Sequence, residues 1–454
     1  MKTPVPPPAR LDELVGKLSA ERLLAVLSAP NPDLDSDYHP WEWHFRHEPP
    51  TDVTREEWWV AVRLRRAQNA RPTPFLMTDG TRLTYNLPDP LLRLVDDVSA
   101  RARGQIELPE PVVNAATRDR YLVRSLMEEA ITSSQLEGAS TSRVRAKQML
   151  REDRSPRNRS ERMILNNYRV MQWITEIKDE PLTPALITQI HRVVTEGTLD
   201  DPDDAGRLQG PGEARVRIYG TEGDEQVLHI PPAAEELPER MERLCAFANA
   251  ADSAGDALQS SGPYVPPLIR AITLHFMMGY DHYFIDGNGR TARAVFYWAM
   301  LRQGFFLTEF LSISRLLHRA PAQYARSFLL TERDEGDLTH FLLAQARVVA
   351  RAIDDLDEYL KRKTGQMSRA SRSLRGLGLN HRQIALIDSF LRDPAASTTV
   401  ETHRATHGVV AQTARTDLQD LEARGLLASA KQGRRMIWFP AEDLAQRVGP
   451  EHGV

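Results

Sequence analysis

Twelve consecutive residues constrain this 454-residue chain more than any other stretch: His282-Tyr-Phe-Ile-Asp-Gly-Asn-Gly-Arg-Thr-Ala-Arg293. Gly287 and Gly289 flank an amide residue, and glycine tolerates the positive φ that lets backbone approach an anion closely. The run that follows, through Ala294-Val-Phe-Tyr-Trp-Ala-Met-Leu301, predicts a helix starting at about Asn288 or Gly289. Its free N–H groups and positive dipole end would face the same anion. Arg290 and Arg293, three apart, share a helix face and can both reach phosphate oxygens. Asp286, just before the turn, suits a Mg2+ that bridges phosphates. His282, with an ordinary pKa of about 6.5, can take a proton from an attacking hydroxyl. The chemistry is that of a phosphate-handling site with its own base; the bland alternative is a Gly-Asn-Gly turn opening an ordinary helix.

The segment resembles the core motif of the Fic family, His-Pro-Phe-x-(Asp/Glu)-Gly-Asn-Gly-Arg-x-x-Arg. It matches everywhere except at Tyr283, where proline is usual. Fic proteins mostly transfer AMP from ATP to a hydroxyl side chain of a target protein. The resemblance implies a mostly α fold, with a Fic helical core and a small β-hairpin flap. It also implies ATP and Mg2+, with His282 as base and Asp286 on the metal. Gly287, Asn288, Gly289, Arg290, Thr291 and Arg293 would surround the phosphates.

Two further stretches extend the resemblance. Ala130-Ile-Thr-Ser-Ser-Gln-Leu-Glu-Gly138 is similar to the family's inhibitory motif, Ser/Thr-x-x-x-Glu-Gly/Asn, with Ser133 and Glu137 in the matching places. Carried over, Glu137 pairs with Arg293; an arginine held by a carboxylate cannot clamp the γ-phosphate, so the α-phosphate is misplaced for in-line attack. Taken alone, the stretch reads equally well as a helix end with Gly138 as its C′ residue. Arg215 to Pro232 holds two β-prone runs around a Gly/Asp turn, a hairpin signal. It resembles the Fic flap, which lays the target peptide beside the site by strand addition, with His229 and Ile230 beside the nucleotide. Gly206-Arg-Leu-Gln209 departs from the relatives' Gly-x-(Phe/Tyr)-Arg and receives no role. Tyr324 lies where the family places aromatics against adenine; a lone Tyr is also ordinary helix packing.

Composition narrows the rest. Hydrophobic residues make up 41% and the net charge is −4, so bulk charge does not make this a polyanion-binding protein. A single cysteine, Cys245, excludes an intrachain disulfide and fits a reducing compartment. The opening Met1-Lys-Thr-Pro-Val-Pro-Pro-Pro has no apolar h-region, and no run of about 18 apolar residues occurs. No signal peptide or membrane span is expected, and the cytoplasm is the default.

Four regions are expected. Residues 1–110 form an aromatic-rich N-terminal module whose tryptophans pack onto the helical core; His44 and His47 lack partners at zinc spacing. Residues 111–360 form the catalytic domain, with the inhibitory helix near 121–138. Residues 361–375 are a basic, serine-rich linker. Residues 376–454 resemble a winged helix-turn-helix, with helices at 381–392, 398–407 and 409–424 and two β-prone runs around Lys431-Gln-Gly-Arg-Arg435. Gln412, Thr413, Arg415 and Thr416 would face a major groove and the wing tip would meet phosphate. The same fold serves protein docking or dimerisation, and Asp417, Asp420 and Glu422 dilute the positive charge of the third helix.

The expected function is therefore a Mg-dependent protein adenylyltransferase acting on a Ser, Thr or Tyr hydroxyl of a target and autoinhibited by Glu137. Two alternatives stay open: AMP removal at the same site, with Glu137 orienting a water, and a DNA-binding regulator with a Fic sensor domain. The resemblance also hints at a homodimer.

Overall fold

The structure, a computed structural model, describes residues 3–28, 38–103, 115–219, 227–250, 264–392, 396–432 and 435–448. The chain is mostly helical and divides into two compact units, Met1–Leu356 and Asp357–Val454. None of the helices among the described residues is long and apolar enough to cross a membrane.

In chain order the helices are α1 (Leu11–Gly16), α2 (Ala20–Ser28), α3 (Trp41–Arg46), α4 (Arg55–Asn69), α5 (Asp89–Ala102), α6 (Ala115–Leu136) and α7 (Arg143–Arg151). They continue with α8 (Arg159–Ile177), α9 (Pro184–Thr195), α10 (Leu237–Asn249), α11 (Pro267–Asp281), α12 (Asn288–Arg302), α13 (Ile313–Arg319), α14 (Pro321–Arg333) and α15 (Thr339–Gly376). Local chemistry sets several starts. Thr54 and Glu57 form a reciprocal capping box on α4, and Asn158 and Thr183 accept the first free N–H groups of α8 and α9. Each supplies an acceptor that the helix lacks at its own N-terminus.

The core is built around α11 and α12. Both are buried on nearly every face, and α12 is buried from Arg290 through Leu301. A helix with almost no exposed face belongs inside a bundle, and α12 packs against α11, α8 and α9. Trp298, fully buried, donates from Nε1 to the Ile177 carbonyl at 3.3 Å. The start of α12 is therefore fixed from several sides.

The N-terminal tryptophans, expected to pack onto the helical core, form a cluster of their own instead. Trp41, Trp58 and Trp59 share a buried cluster with Leu14, Val60 and Val62, and the His44 ring meets Trp58 edge-on at 4.4 Å. Two short antiparallel hairpins complete the first unit, β1 (Arg71–Leu76) with β2 (Arg82–Tyr85) and β3 (Ile218–Tyr219) with β4 (Val227–His229). The second hairpin is the one expected between Arg215 and Pro232; the turn joining its strands lies outside the described residues.

The second unit holds α16 (His381–Arg392), α17 (Val400–His407), α18 (Ala411–Ala423) and α19 (Leu444–Arg447), with strands β5 (Leu427–Gln432) and β6 (Arg435–Pro440) paired antiparallel. Its core includes Ile387, Phe390, Leu418, Leu421 and Trp438. Thr399 caps α17, and Gly408, at a φ of 63°, ends it in the left-handed region. One boundary differs from the sequence expectation. The α15 backbone runs to Gly376, where serine-rich composition predicts an end near Lys363; no proline interrupts the stretch, so helical hydrogen bonding can propagate through it.

Candidate active site

His282 stands at the end of α11 with φ 50° and ψ 60°, in the left-handed region. A residue with a side chain pays roughly 1–3 kcal/mol for such a conformation, so the surroundings must hold it. Its Nδ1 lies 3.2 Å from the Gly279 carbonyl. A carbonyl can only accept, so the ring proton sits on Nδ1 and Nε2 keeps its lone pair. Burial pulls the imidazole down to about 4, against the opposing pull of the Gly279 carbonyl and Glu137. At neutral pH the ring is uncharged and able to receive a proton.

The loop between α11 and α12 is closed by its own side chains. Asn288 Oδ1 accepts the Phe284 N–H at 2.9 Å, and its Nδ2 donates to the Phe284 carbonyl at 2.6 Å. Gly287 takes a φ of 81°. Asp286 Oδ1 accepts the Gly287 N–H at 2.5 Å. From below, His191 stacks on Phe284 with ring centroids 3.7 Å apart. Its Nδ1 accepts the Gly206 N–H at 2.9 Å and its Nε2 donates to the Asp286 carbonyl at 2.8 Å. That pair of partners fixes one neutral tautomer, and burial pulls the ring down to about 4.

Arg293 is a buried cation of the site. Its Nε donates to Ser133 Oγ at 2.8 Å, and its Nη2 donates to the Ser133 carbonyl and to Glu137 Oε1, both at 2.9 Å. Only 4% of the Arg293 side chain is exposed, against 26% for Glu137. A Cβ built on Gly289 would collide with Glu137 Oε1, so this carboxylate lies over the first turn of α12. A carboxylate at a helix N-terminus, held by an arginine, occupies ground suited to a phosphate. The cradle fits the anion that the glycines suggest.

Asp286 fits the metal role. Its side chain is 46% exposed, with Oδ2 3.5 Å from Arg159 Nη2 and Oδ1 3.9 Å from Arg290 Nη2. A single accessible carboxylate beside a phosphate cradle is the donor set Mg2+ uses when phosphates complete its shell.

The structure places several other sequence-assigned contacts differently. Thr291 is fully buried and its hydroxyl donates to the Gly287 carbonyl, so it braces the helix start. The Asn288 amide closes the loop, leaving only its backbone for a ligand. Arg290 is buried, with Nη1 3.2 Å from the Val194 carbonyl and Nε lacking a partner; it ties α12 to the end of α9. His229 has both ring nitrogens engaged, Nδ1 by Glu332 Oε2 and Nε2 by the Tyr280 carbonyl, each at 2.8 Å. It is an anchor of the hairpin, while Ile230 beside it is 55% exposed. The Tyr324 hydroxyl meets His275 Nε2 at 2.8 Å and lies beside Arg293, and its ring packs against Phe328 with centroids 5.4 Å apart.

Sequence reasoning missed His191, Gln209 and Arg215. Arg215 donates to the carbonyls of Asp281 and His282, and the Gln209 N–H donates to the Tyr283 carbonyl. Nothing local marks them, because each acts on backbone 66 or more residues away. Tyr283, the departure from the motif, is buried and donates to Asp281 Oδ2 at 2.7 Å, while Arg240 Nη1 lies 3.2 Å from Oδ1 of the same carboxylate.

Elsewhere, Asp334, Asp337 and His340 bring three ligand-type atoms within 4.8 Å. Arginines already balance them: Arg63 Nη1 is 2.6 Å and Arg66 Nη1 3.6 Å from Asp334. Tyr38 OH donates to Asp337 at 2.5 Å. This is an ion-pair network joining α4 to the end of α14.

Residues 181–300 match the Fic/DOC family. A curated relative, "Protein adenylyltransferase Fic" of Nematostella vectensis, is 28% identical over 178 residues, 39% of this chain; the chain spans only 34% of that relative's length. A crystal structure of a Fic family protein from Desulfovibrio desulfuricans G20 superposes with a TM-score of 0.53 at 15% identity, over 79% of this chain and 98% of the other. That likeness is one of fold. With the loop, the helix N-terminus and the glutamate-held arginine in place, residues 181–300 of this chain are similar to the Fic/DOC family.

Proposed function

We propose that this chain transfers AMP from ATP to a hydroxyl side chain of a target protein and is held in an inhibited state by Glu137. The observation that carries the reading is the Glu137 carboxylate lying on Arg293 and over Gly289, beside a neutral His282. A base, a phosphate cradle and an anion already in that cradle are arranged as a phosphoryl-transfer site with its own brake.

In the reaction, His282 Nε2 accepts the proton of a Ser, Thr or Tyr hydroxyl. The hydroxyl oxygen attacks the α-phosphorus, a P–O bond forms, and the bond to the β-phosphate oxygen breaks to release pyrophosphate. Backbone N–H groups at Gly287, Asn288 and Gly289 receive phosphate oxygens at the start of α12. Arg293, once released by Glu137, clamps the outer phosphates. Asp286 would hold Mg2+, which supplies charge neutralisation on the phosphates. The β3–β4 hairpin offers an edge on which a target strand can pair.

The test is label incorporation from ATP carrying a radioactive α-phosphate, with a cell lysate as target. We expect strong labelling by Glu137→Gly, weak labelling by wild type, and none by the Glu137→Gly/His282→Ala double variant. Equal labelling with and without His282 would remove the base assignment. Silence from all three, with AMP released from a modified target only when Glu137 is present, would turn the reading to AMP removal.

A specific observation supports a second activity for the 376–454 region, DNA binding by a winged helix. Each of the acids on the third helix has a partner within the domain. Asp417 is buried beneath Arg382 and Asn380, Asp420 pairs with Gln383 and Arg424, and Glu422 accepts from Ser429 and Trp438. Gln412, Arg415 and Thr416 stay exposed on α18, with Lys431 and Arg435 on the hairpin. Such a face meets phosphate and base edges. Retardation of duplex DNA by the full chain, weakening steeply as salt rises, is expected; salt-independent retardation or none removes this reading.

A further inference from the structure

The carbonyls of residues 280 to 283 leave α11 in succession, beyond the reach of intrahelical donors. Each is met from outside, and every donor comes from the segment that carries the hairpin. His229, the last residue of β4, faces the Tyr280 carbonyl with Nε2 at 2.8 Å. Arg215, three residues before β3, donates through Nη2 to the carbonyls of Asp281 and His282 at 2.8 and 2.9 Å. The Gln209 N–H donates to the Tyr283 carbonyl at 3.0 Å.

The same groups hold the hairpin. Arg215 Nε donates to the Pro232 carbonyl at 2.7 Å, where the chain leaves β4, and its Nη1 donates to Gln209 Oε1. His229 Nδ1 meets Glu332 Oε2 on α14 at 2.8 Å. Both of its nitrogens thus face acceptors, which suits the doubly protonated ring. Ile218 of β3 is the register partner of His229, so the fastening takes in both strands. Cationic donors also suit the negative end of the α11 dipole. The residue at the centre of this arrangement is His282, whose left-handed backbone needs outside support.

We propose that Arg215 and His229 are positioning residues that fasten the hairpin to the backbone of His282, so that a target strand docked on the hairpin is brought into register with the base. This rests on the reading of His282 as the base of hydroxyl transfer. Arginine is suited to the task because one planar fork reaches several carbonyls at once; lysine offers a single point charge. A merely local role in hairpin stability would weaken target binding and leave the chemical step alone.

The experiment uses the full chain in the Glu137→Gly background, comparing Arg215→Ala, Arg215→Lys and His229→Phe. Initial rates are measured against ATP and against a labelled target. Amide hydrogen exchange is followed at residues 282–285 and, as a reference, in α8. For Arg215→Ala we expect kcat to fall on the order of 100-fold with KM for ATP within about twofold, since a base displaced by about 1 Å costs that much. Arg215→Lys should recover part of the loss, and His229→Phe should fall between it and Arg215→Ala. Exchange at 282–285 should quicken about tenfold in Arg215→Ala and His229→Phe while α8 is unchanged, a local opening rather than unfolding. An unchanged kcat with a raised KM for target overturns the proposal, because the residues then only anchor the hairpin. If Glu137→Gly itself transfers nothing, the function reading has failed separately. Exchange then decides: unchanged protection at 282–285 in Arg215→Ala and His229→Phe overturns the fastening, and faster exchange there upholds it.

Discussion

Gly287 shows how closely single residues are specified at this site. Its φ of 81° is one that a side chain adopts only under strain, and a Cβ there would sit 2.5 Å from Thr195 Cγ2 and 3.2 Å from His191 Nε2. Both neighbours are buried, so neither can move aside freely. Gly287→Ala should therefore destabilise the protein by about 2 kcal/mol or more, from left-handed strain with the clash added. Denaturant unfolding monitored by tryptophan fluorescence measures this; a midpoint equal to wild type would mean that the loop relaxes without cost. The two glycines and His282 were legible in the sequence because their chemistry is local and ordered. His191, Gln209 and Arg215 were not, since a hydrogen bond to a distant carbonyl leaves no periodicity and demands no rare residue type. The same limit explains Thr291 and Asn288. Their positions in the motif point to the ligand, and only the folded chain shows that their side chains are taken by Gly287 and Phe284.

Among the elements, α12 was legible and its setting was not. Glycines mark its start, but Arg290 and Arg293 suggest a polar face where the structure has none. Each arginine is admitted to the interior by a specific acceptor: Val194 for one, and Ser133 with Glu137 for the other. An arginine buried with such partners reads in sequence like a surface residue, which is why burial cannot be inferred from residue type alone. The helix α7 escaped notice for the opposite reason. Its sequence, RVRAKQMLR, is dominated by charge, and only Ala146 and Met149 are buried, too few to set up an apolar stripe. The hairpin was legible from its β-prone runs, although its fastening to α11 depends on residues flanking the strands. In α18 the sequence displays three acids, and tertiary partners decide which face remains for a ligand.

Across the whole first unit, a set of buried neutral histidines ties stability to pH. Burial pulls His191 and His282 to about 4 and His275 to about 3. In the unfolded chain each would take up a proton near an ordinary value of about 6.5. Between these values the unfolded state binds more protons than the folded one, so stability falls as pH drops through that window. Three groups oppose them. Burial pushes Asp281 up to about 6, against the pull of Arg240, and raises Glu129 against its bonds from Ser314; His229, despite its burial, is raised by Glu332. The folded protein protonates these groups before the unfolded chain does and gains some stability as pH drops. Below about pH 4.5 the balance tilts further. Glu57, hydrogen-bonded by Arg22, is held down to about 2, and Asp334 is depressed by Arg63 and His340 despite its burial; ionised in the fold, both must be protonated on unfolding. The three histidines, each held far below its ordinary value, outweigh these opposing groups: the melting temperature of the first unit should decline from pH 7 to pH 5 and drop more steeply below 4.5. Calorimetry across that range, with His275→Phe alongside, measures it. His275 has no ligand role in the proposed reaction, so removing its titration should flatten the decline by about one proton's worth of slope. A melting temperature that rises on acidification would mean that Asp281, Glu129 and His229, rather than the depressed histidines, govern the linkage.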